Sequence, residues 1–418
     1  MRKCAVKGCD QKPGPGNSIC ILHRPMPKDG DEFVRVLNGR IQEGKFDCSG
    51  FVFPVPVVSP AADWPDRGSA VVVLPDPIPY GFSFDNAVFC ASVTIEYATF
   101  EGWAEFNGAE FRDSAVFTGT VFGQFCHFNR CSFLSFTSFA NCHFPEGGAF
   151  AGCLFSGDDP CDEEETAFFD NATFENGFAC FGGSRFEVEG SFYCCRFDQA
   201  IELAGVRFER GANFAYCKAS DVVVGYRRPT TLPLVVQRRG VSFGSSESEQ
   251  CFWRFARRVY EDQGDRARAD AAFYFERVAE VSPRGVQEDL EYEELTNQRR
   301  TPPILAALRI ALAWARWSAD CLLLRWPTAY GVGLARLGFT WVGVVVLFAL
   351  LYRTLGVLSE SVTLGGAFYF SISTFTTLGY GDIRPLPGLG SALSSTEALL
   401  GGVTMALTVL VIGRRFMR

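Results

Sequence analysis

Histidine is scarce in this chain. Only three histidines occur in 418 residues, and no catalytic constellation surrounds His127 or His143, which read as outward side chains. No glycine-rich nucleotide-binding fingerprint is present either, so neither an enzyme nor a nucleotide-binding protein is expected. The start, Met-Arg-Lys-Cys, leads into a Gly/Pro-rich polar run instead of an apolar core, so no secretory signal is expected. Long apolar runs are limited to two near the C-terminal end. With a mean hydropathy only slightly positive, this implies a large soluble assembly on a small membrane part. Sixteen cysteines at first suggest a secreted disulfide protein. Their placement argues instead for reduced thiols in a cytoplasmic setting.

Phenylalanine is in excess, at 41 residues. From Phe84 to Phe155 large apolar residues recur in steps of five and six, at 84, 89, 95, 100, 106, 111, 117, 122, 128, 133, 139, 144, 150 and 155. All are Phe except Ile95. After an acidic insertion, Ser156 to Thr166, the pattern resumes at Phe169, Phe174, Phe181, Phe186, Phe192, Phe197, Leu203, Phe208 and Phe214. Small side chains precede the anchors by two, among them Ala87, Ala98, Cys126, Cys131, Cys142, Cys153, Cys195 and Cys217.

Such a period is neither helical nor strand-like. It suits a chain that turns a corner every five residues, with one large and one small side chain inward per side. The pattern resembles the pentapeptide-repeat proteins over roughly residues 81–219. That resemblance implies a right-handed quadrilateral β-helix of about six coils stacked at ~4.8 Å. Six of the sixteen cysteines then fill small core positions. Residues 31–80, with Phe46 and Phe51 five apart, are expected to cap the solenoid's exposed end. Residues 81–219 carry 20 acidic and 7 basic residues, a balance of −13 within a chain total of −8, so the remainder is near +5.

Thr-Thr-Leu-Gly-Tyr-Gly-Asp, at Thr376, Thr377, Leu378, Gly379, Tyr380, Gly381 and Asp382, carries the sharpest functional signal. A dehydrated cation needs rings of oxygen dipoles in place of water. A backbone aims successive carbonyls to one side by alternating handedness, and Gly379 and Gly381 enter the left-handed region without penalty. Before this stretch, Ala367 to Thr377 is an aromatic and hydroxyl-rich segment of about three helical turns, too short to cross a bilayer. On either side lie Val332 to Tyr352 and Leu393 to Ile412, each long enough to cross ~30 Å of hydrocarbon. Arg325 and Arg336 precede the first; Arg414, Arg415 and Arg418 follow the second, which by the positive-inside rule puts both termini in the cytoplasm.

The order span, short helix, filter, span resembles the two-transmembrane potassium channels over residues 331–418. The resemblance implies a selectivity filter at 376–382, an α-helical homotetramer and a multi-pass protein of the cell membrane, with K+ as the permeant ion. Tyr369 and Phe370 resemble the aromatic cuff of such filters, and Ser373 stands where some members carry Glu. Gly401 and Gly402 mark either a hinge of the inner helix or a close packing contact. Met405, Val409 and Ile412 line the inner pore or face lipid. Glu397 is expected behind the filter with a hydroxyl partner. No arginine ladder precedes the pore, so strong voltage sensing is not expected.

Cys4, Cys9, Cys20 and His23 within residues 1–30 have the spacing Cys-x4-Cys-x10-Cys-x2-His. Three thiolates and an imidazole suit tetrahedral zinc, and a Pro/Gly-rich segment without a core needs such a tie. The segment resembles short zinc knuckles, without the basic and aromatic residues of a nucleic-acid binder, so no nucleic acid is expected. Residues 220–300 read as a linker followed by a helical hairpin with Gly264 in its turn, and residues 301–330 as an interfacial amphipathic helix carrying Arg309, Arg316 and Asp320. The combined reading is a potassium-selective channel with a cytoplasmic repeat domain that regulates or scaffolds the pore, through an unknown ligand or partner. The rival is a membrane-tethered interaction protein whose acidic β-helix docks a partner by mimicking DNA.

Overall fold

The computed structural model describes residues 4–6, 9–13, 18–26, 28–62, 70–157, 166–225, 240–295, 302–331, 334–359, 362–379 and 381–416. Two compact units emerge. One holds residues 1–228 with 237–280, and the other chiefly residues 281–418.

In the first unit every large-residue anchor from Phe84 to Phe214 is at most 1% exposed. Each turn of the chain lays a two- or three-residue strand onto the equivalent strand of the previous coil. Val88 pairs with Glu110, Ser132 with Leu154 and Arg185 with Arg207, all parallel. Inter-coil hydrogen bonds such as Asn129 Nδ2 to Asn107 Oδ1, 3.0 Å across 22 residues, mark the coil length. The insertion at 156–166 lengthens one coil, so that Cys153 meets Ser184, 31 residues on, without breaking the stack.

Two parallel sheets have eight strands each, and a third, of nine, joins two columns through the longer strand Arg196–Glu202. Identical residues in register stack their rings. Phe106 lies 4.7 Å from Phe128, Phe111 4.8 Å from Phe133 and Phe122 4.8 Å from Phe144, each pair within 5° of parallel. That spacing is the separation of adjacent strands, so one stacking distance satisfies backbone and core together.

The stacking reaches beyond 81–219. Val52–Phe53 and Val57–Val58 join the sheets at one end and Ser242–Phe243 at the other. Helix α1 (Gly30–Gln42) starts at Asp29, whose carboxylate accepts from the Asp31 and Glu32 amides. Its Phe33 ring packs edge-on against Phe53 at 5.3 Å, which covers the first coil. Helices α2 (Ser246–Asp262) and α3 (Arg266–Glu280) form the expected hairpin, with Gly264 at φ +72° between them. Phe252 and Phe255 of α2 close the last coil against Phe214, at 5.2 and 5.7 Å. Three arginines here are partnered: Arg254 and Arg257 with Glu276 at 3.1 and 3.3 Å, and Arg268 with Asp221 at 2.6 Å.

In the second unit α4 (Arg284–Leu295) precedes α5 (Pro303–Asp320), which passes through a π turn, Cys321–Arg325, into the short α6 (Trp326–Thr328). Arg309 of α5 pairs with Glu293 at 2.9 Å. Ile304, Leu305, Leu308 and Leu312 of the same helix are exposed. Then come α7 (Leu334–Leu355), α8 (Leu364–Phe375) and α9 (Leu389–Phe416). Within α7 and α9, Arg336–Leu355 and Leu389–Gly413 are long and apolar enough to cross a membrane. Phe348, Tyr352, Val357, Leu358 and Phe370 form the core between these helices.

Candidate functional site

Helix α8 begins at Thr363, whose hydroxyl accepts from Gly366 N at 3.3 Å, and has only 12 residues. It ends inside the bundle, a position tolerated only where backbone is buried in protein or lines water. Thr376 closes it, its amide bonding the Ile372 carbonyl at 3.0 Å and its hydroxyl the same oxygen at 2.7 Å. The chain then leaves the helix on three further bonds. Thr377 N donates to Thr374 O at 3.0 Å, and Leu378 N and Gly379 N both reach Ser373 O, at 2.9 and 3.4 Å.

Three residues of the loop then take positive φ. Thr377, Gly379 and Gly381 have φ of +57°, +54° and +79°. They lie two apart, the spacing of the geometry that turns successive carbonyls to one side. Glycine meets it freely at two of the three positions. A β-branched threonine pays ~1–3 kcal/mol for the third, which the glycine pattern in the sequence did not reveal. Tyr380 lies outside the described residues. Leu378, Gly379, Gly381 and Asp382 are exposed in the single chain. Beyond the loop, Asp382 accepts from Ile383 N at 3.0 Å, and Arg384 N donates to Ser359 Oγ at 3.2 Å.

Behind the loop, Phe370 is buried edge-on to Tyr352 at 4.9 Å, and Phe375 meets Trp341 at 5.8 Å. Tyr369 is 40% exposed. Ser373 is buried and donates to Phe370 O at 3.0 Å, while its carbonyl carries the loop. Glu397 of α9 is fully buried. It accepts from Tyr352 Oη of α7 at 2.7 Å and from Ser371 Oγ of α8. One hydroxyl partner was expected from the sequence; the structure supplies two, from two different helices.

The glycine pair in α9 divides. A Cβ at Gly401 would lie 2.1 Å from the Phe375 carbonyl oxygen, whereas nothing lies within 4 Å of one at Gly402. Gly401 is therefore held by close helix packing. Met405 is half-buried, and Val409 and Ile412 are exposed in the single chain. Val332, Arg418 and the side chains of Arg414 and Arg415 lie outside the described residues.

A second constellation stands in the first unit. Cys4, Cys9, Cys20 and His23 bring their ligand atoms within 4.8 Å of one another. Cys9 and Cys20 sulfurs are 3.7 Å apart, and His23 Nδ1 lies 3.3 Å from Cys20 Sγ and 3.9 Å from Cys4 Sγ. Sulfurs at ~2.3 Å from a tetrahedral centre are about 3.8 Å apart, so the donor set fits a small tetrahedral cation. His23 also hydrogen-bonds the backbone at Ser49, which orients its ring. Burial pushes the Cys9 thiol up to about 12 and the His23 imidazole down, while at Cys4 burial is outweighed by hydrogen bonds at the Cys20 and Val6 backbone and the thiol is lowered.

Residues 340–418 match a family model described as an ion channel. Over 102 residues the chain is 33% identical to the inward rectifier potassium channel Kirbac3.1 of Paramagnetospirillum magnetotacticum. That match covers 24% of this chain and 33% of the relative, so the chain spans about a third of the relative's length. Both matches support a two-transmembrane potassium-channel pore in the region of α7, α8 and α9.

Proposed function

We propose that the chain is a potassium-selective channel whose pore is built by four copies. One observation carries this reading: the left-handed backbone at Thr377, Gly379 and Gly381, at the C-terminal end of a helix too short to span, between two helices that can. One chain supplies a quarter of each oxygen ring, so a closed ring of copies completes the site. Carbonyls of Thr377, Leu378, Gly379 and Tyr380, with the Thr377 hydroxyl, replace the ion's water. The C-terminal end of α8 turns its negative dipole to the ion path. Met405, Val409 and Ile412 line the inner pore, and Gly402, with open space beside it, is the member of the glycine pair left to serve as a hinge.

In this reading α7 and α9 cross the cell membrane with both chain ends cytoplasmic, and α5 lies at the lipid interface on its exposed leucines. The repeat unit is a right-handed quadrilateral β-helix in the cytoplasm that regulates or scaffolds the pore. Zinc, held by Cys4, Cys9, Cys20 and His23, ties down a segment with no core of its own. Potassium flux through the purified full-length protein in liposomes, with sodium substituted for potassium, tests the assignment.

A further inference from the structure

We infer that Glu397 is a positioning residue that fixes the filter's ion preference through Ser371, and that α8 and α9 are joined there by a two-point seam. The inference rests on the channel reading above. On α8 the contact points are Ser371 and Phe375, four residues apart; on α9 they are Glu397 and Gly401, also four apart. Residues four apart share one face of a helix, one turn above the other. At the first point Ser371 Oγ donates to Glu397. At the second the Phe375 carbonyl sits where a Cβ of residue 401 would be, at 2.1 Å. The two helices are thus keyed in depth and rotation over a full turn.

The first spanning helix, α7, is tied into the same point. Tyr352 Oη of α7 donates to the other Glu397 oxygen at 2.7 Å, and Ser371 Oγ lies 3.0 Å from the Val345 carbonyl of α7. Both described partners of the carboxylate are hydroxyls, not a cation. A fully buried carboxylate kept in a membrane helix is costly, and its two oxygens are used on two elements. The filter hangs from the same turn of α8, because the Ser373 carbonyl holds the Leu378 and Gly379 amides. A displacement of α9 at Glu397 therefore reaches the filter backbone through two residues of one helix.

The test uses full-length protein in liposomes and in detergent. Glu397→Gln keeps the shape but replaces one acceptor oxygen with a donor, so one of the two hydroxyls loses its partner. Its K+/Na+ permeability ratio is expected to fall about tenfold, the size of one charge-assisted hydrogen bond. Ser371→Ala should do the same, the double variant should be no worse than about twofold beyond either, and Ser371→Thr should recover the wild-type ratio. The rise in melting temperature on replacing NaCl with KCl, a readout that needs no flux, should shrink in Glu397→Gln. Should that variant fail to fold, Tyr352→Phe, which removes one hydroxyl only, is held to the same ratio criterion. A wild type that conducts, beside a variant with unchanged ratio and unchanged potassium stabilisation, overturns the inference alone. A wild type with neither flux nor potassium stabilisation overturns the channel reading and the inference with it.

Discussion

Gly401 and Gly402 are adjacent in sequence but not equivalent in space. An alanine at 401 must push against a backbone carbonyl 2.1 Å away, while one at 402 meets open space. Gly401→Ala should therefore destabilise the protein by ~1–3 kcal/mol, the cost of overpacking. Gly402→Ala should be tolerated or gain up to ~1 kcal/mol of helix propensity. Thermal unfolding of the two variants separates packing from bending, since a hinge shared by the pair would make them behave alike. The Cys/His cluster is the other test at this scale. Metal analysis should find about one zinc per chain, lost in Cys9→Ser and in His23→Ala. Protein purified without chelator and free of zinc would remove the assignment.

Among the elements, the coil of the β-helix makes the plainest claim. Phe128 and Phe133 are fully buried between rings of the coils on either side. Replacing either by Ala should cost ~3–5 kcal/mol. Cys126→Ala should cost far less, being small for small. Cys142→Ala should fall between, because its thiol donates to the Phe117 carbonyl at 2.9 Å. Chemical denaturation of the four variants checks the order; equal losses would contradict it.

The thiol bonds mark where sequence reading stopped. The five-residue period showed which side chains are large and inward, and it placed cysteines among the small ones. It did not show that Cys131, Cys142, Cys153, Cys195 and Cys217 each reach a carbonyl one coil back, a role Thr120 and Ser184 share. That depends on register between coils, which spacing within a coil does not encode. Strands at 52–58 were hidden for another reason: prolines interrupt the Phe spacing there, although Val57 still pairs with Val93. At the filter the two glycines were legible because only glycine enters the left-handed region freely. Thr377 was not, because its conformation is imposed by the helix end before it. Glu397 was legible as a buried carboxylate, but its partners lie 26 and 45 residues away and only packing brings them together.

At the scale of the whole molecule, the charge is concentrated in the repeat. Residues 81–219 hold a balance of −13 while the remainder is near +5. That acidity is what favours the rival reading, a tethered domain that docks a basic partner, with the pore vestigial. The two readings make opposite demands on one quantity, selective ion flow. The direct measurement is flux of the purified full-length protein in liposomes under a potassium gradient, repeated with sodium in place of potassium and with Gly381→Ala. The account predicts potassium flux, little sodium flux, and loss of selective flux in the variant, because a side chain disfavours the left-handed backbone at 381. Equal sodium and potassium flux, no flux from the wild type, or unchanged selectivity in Gly381→Ala would contradict it.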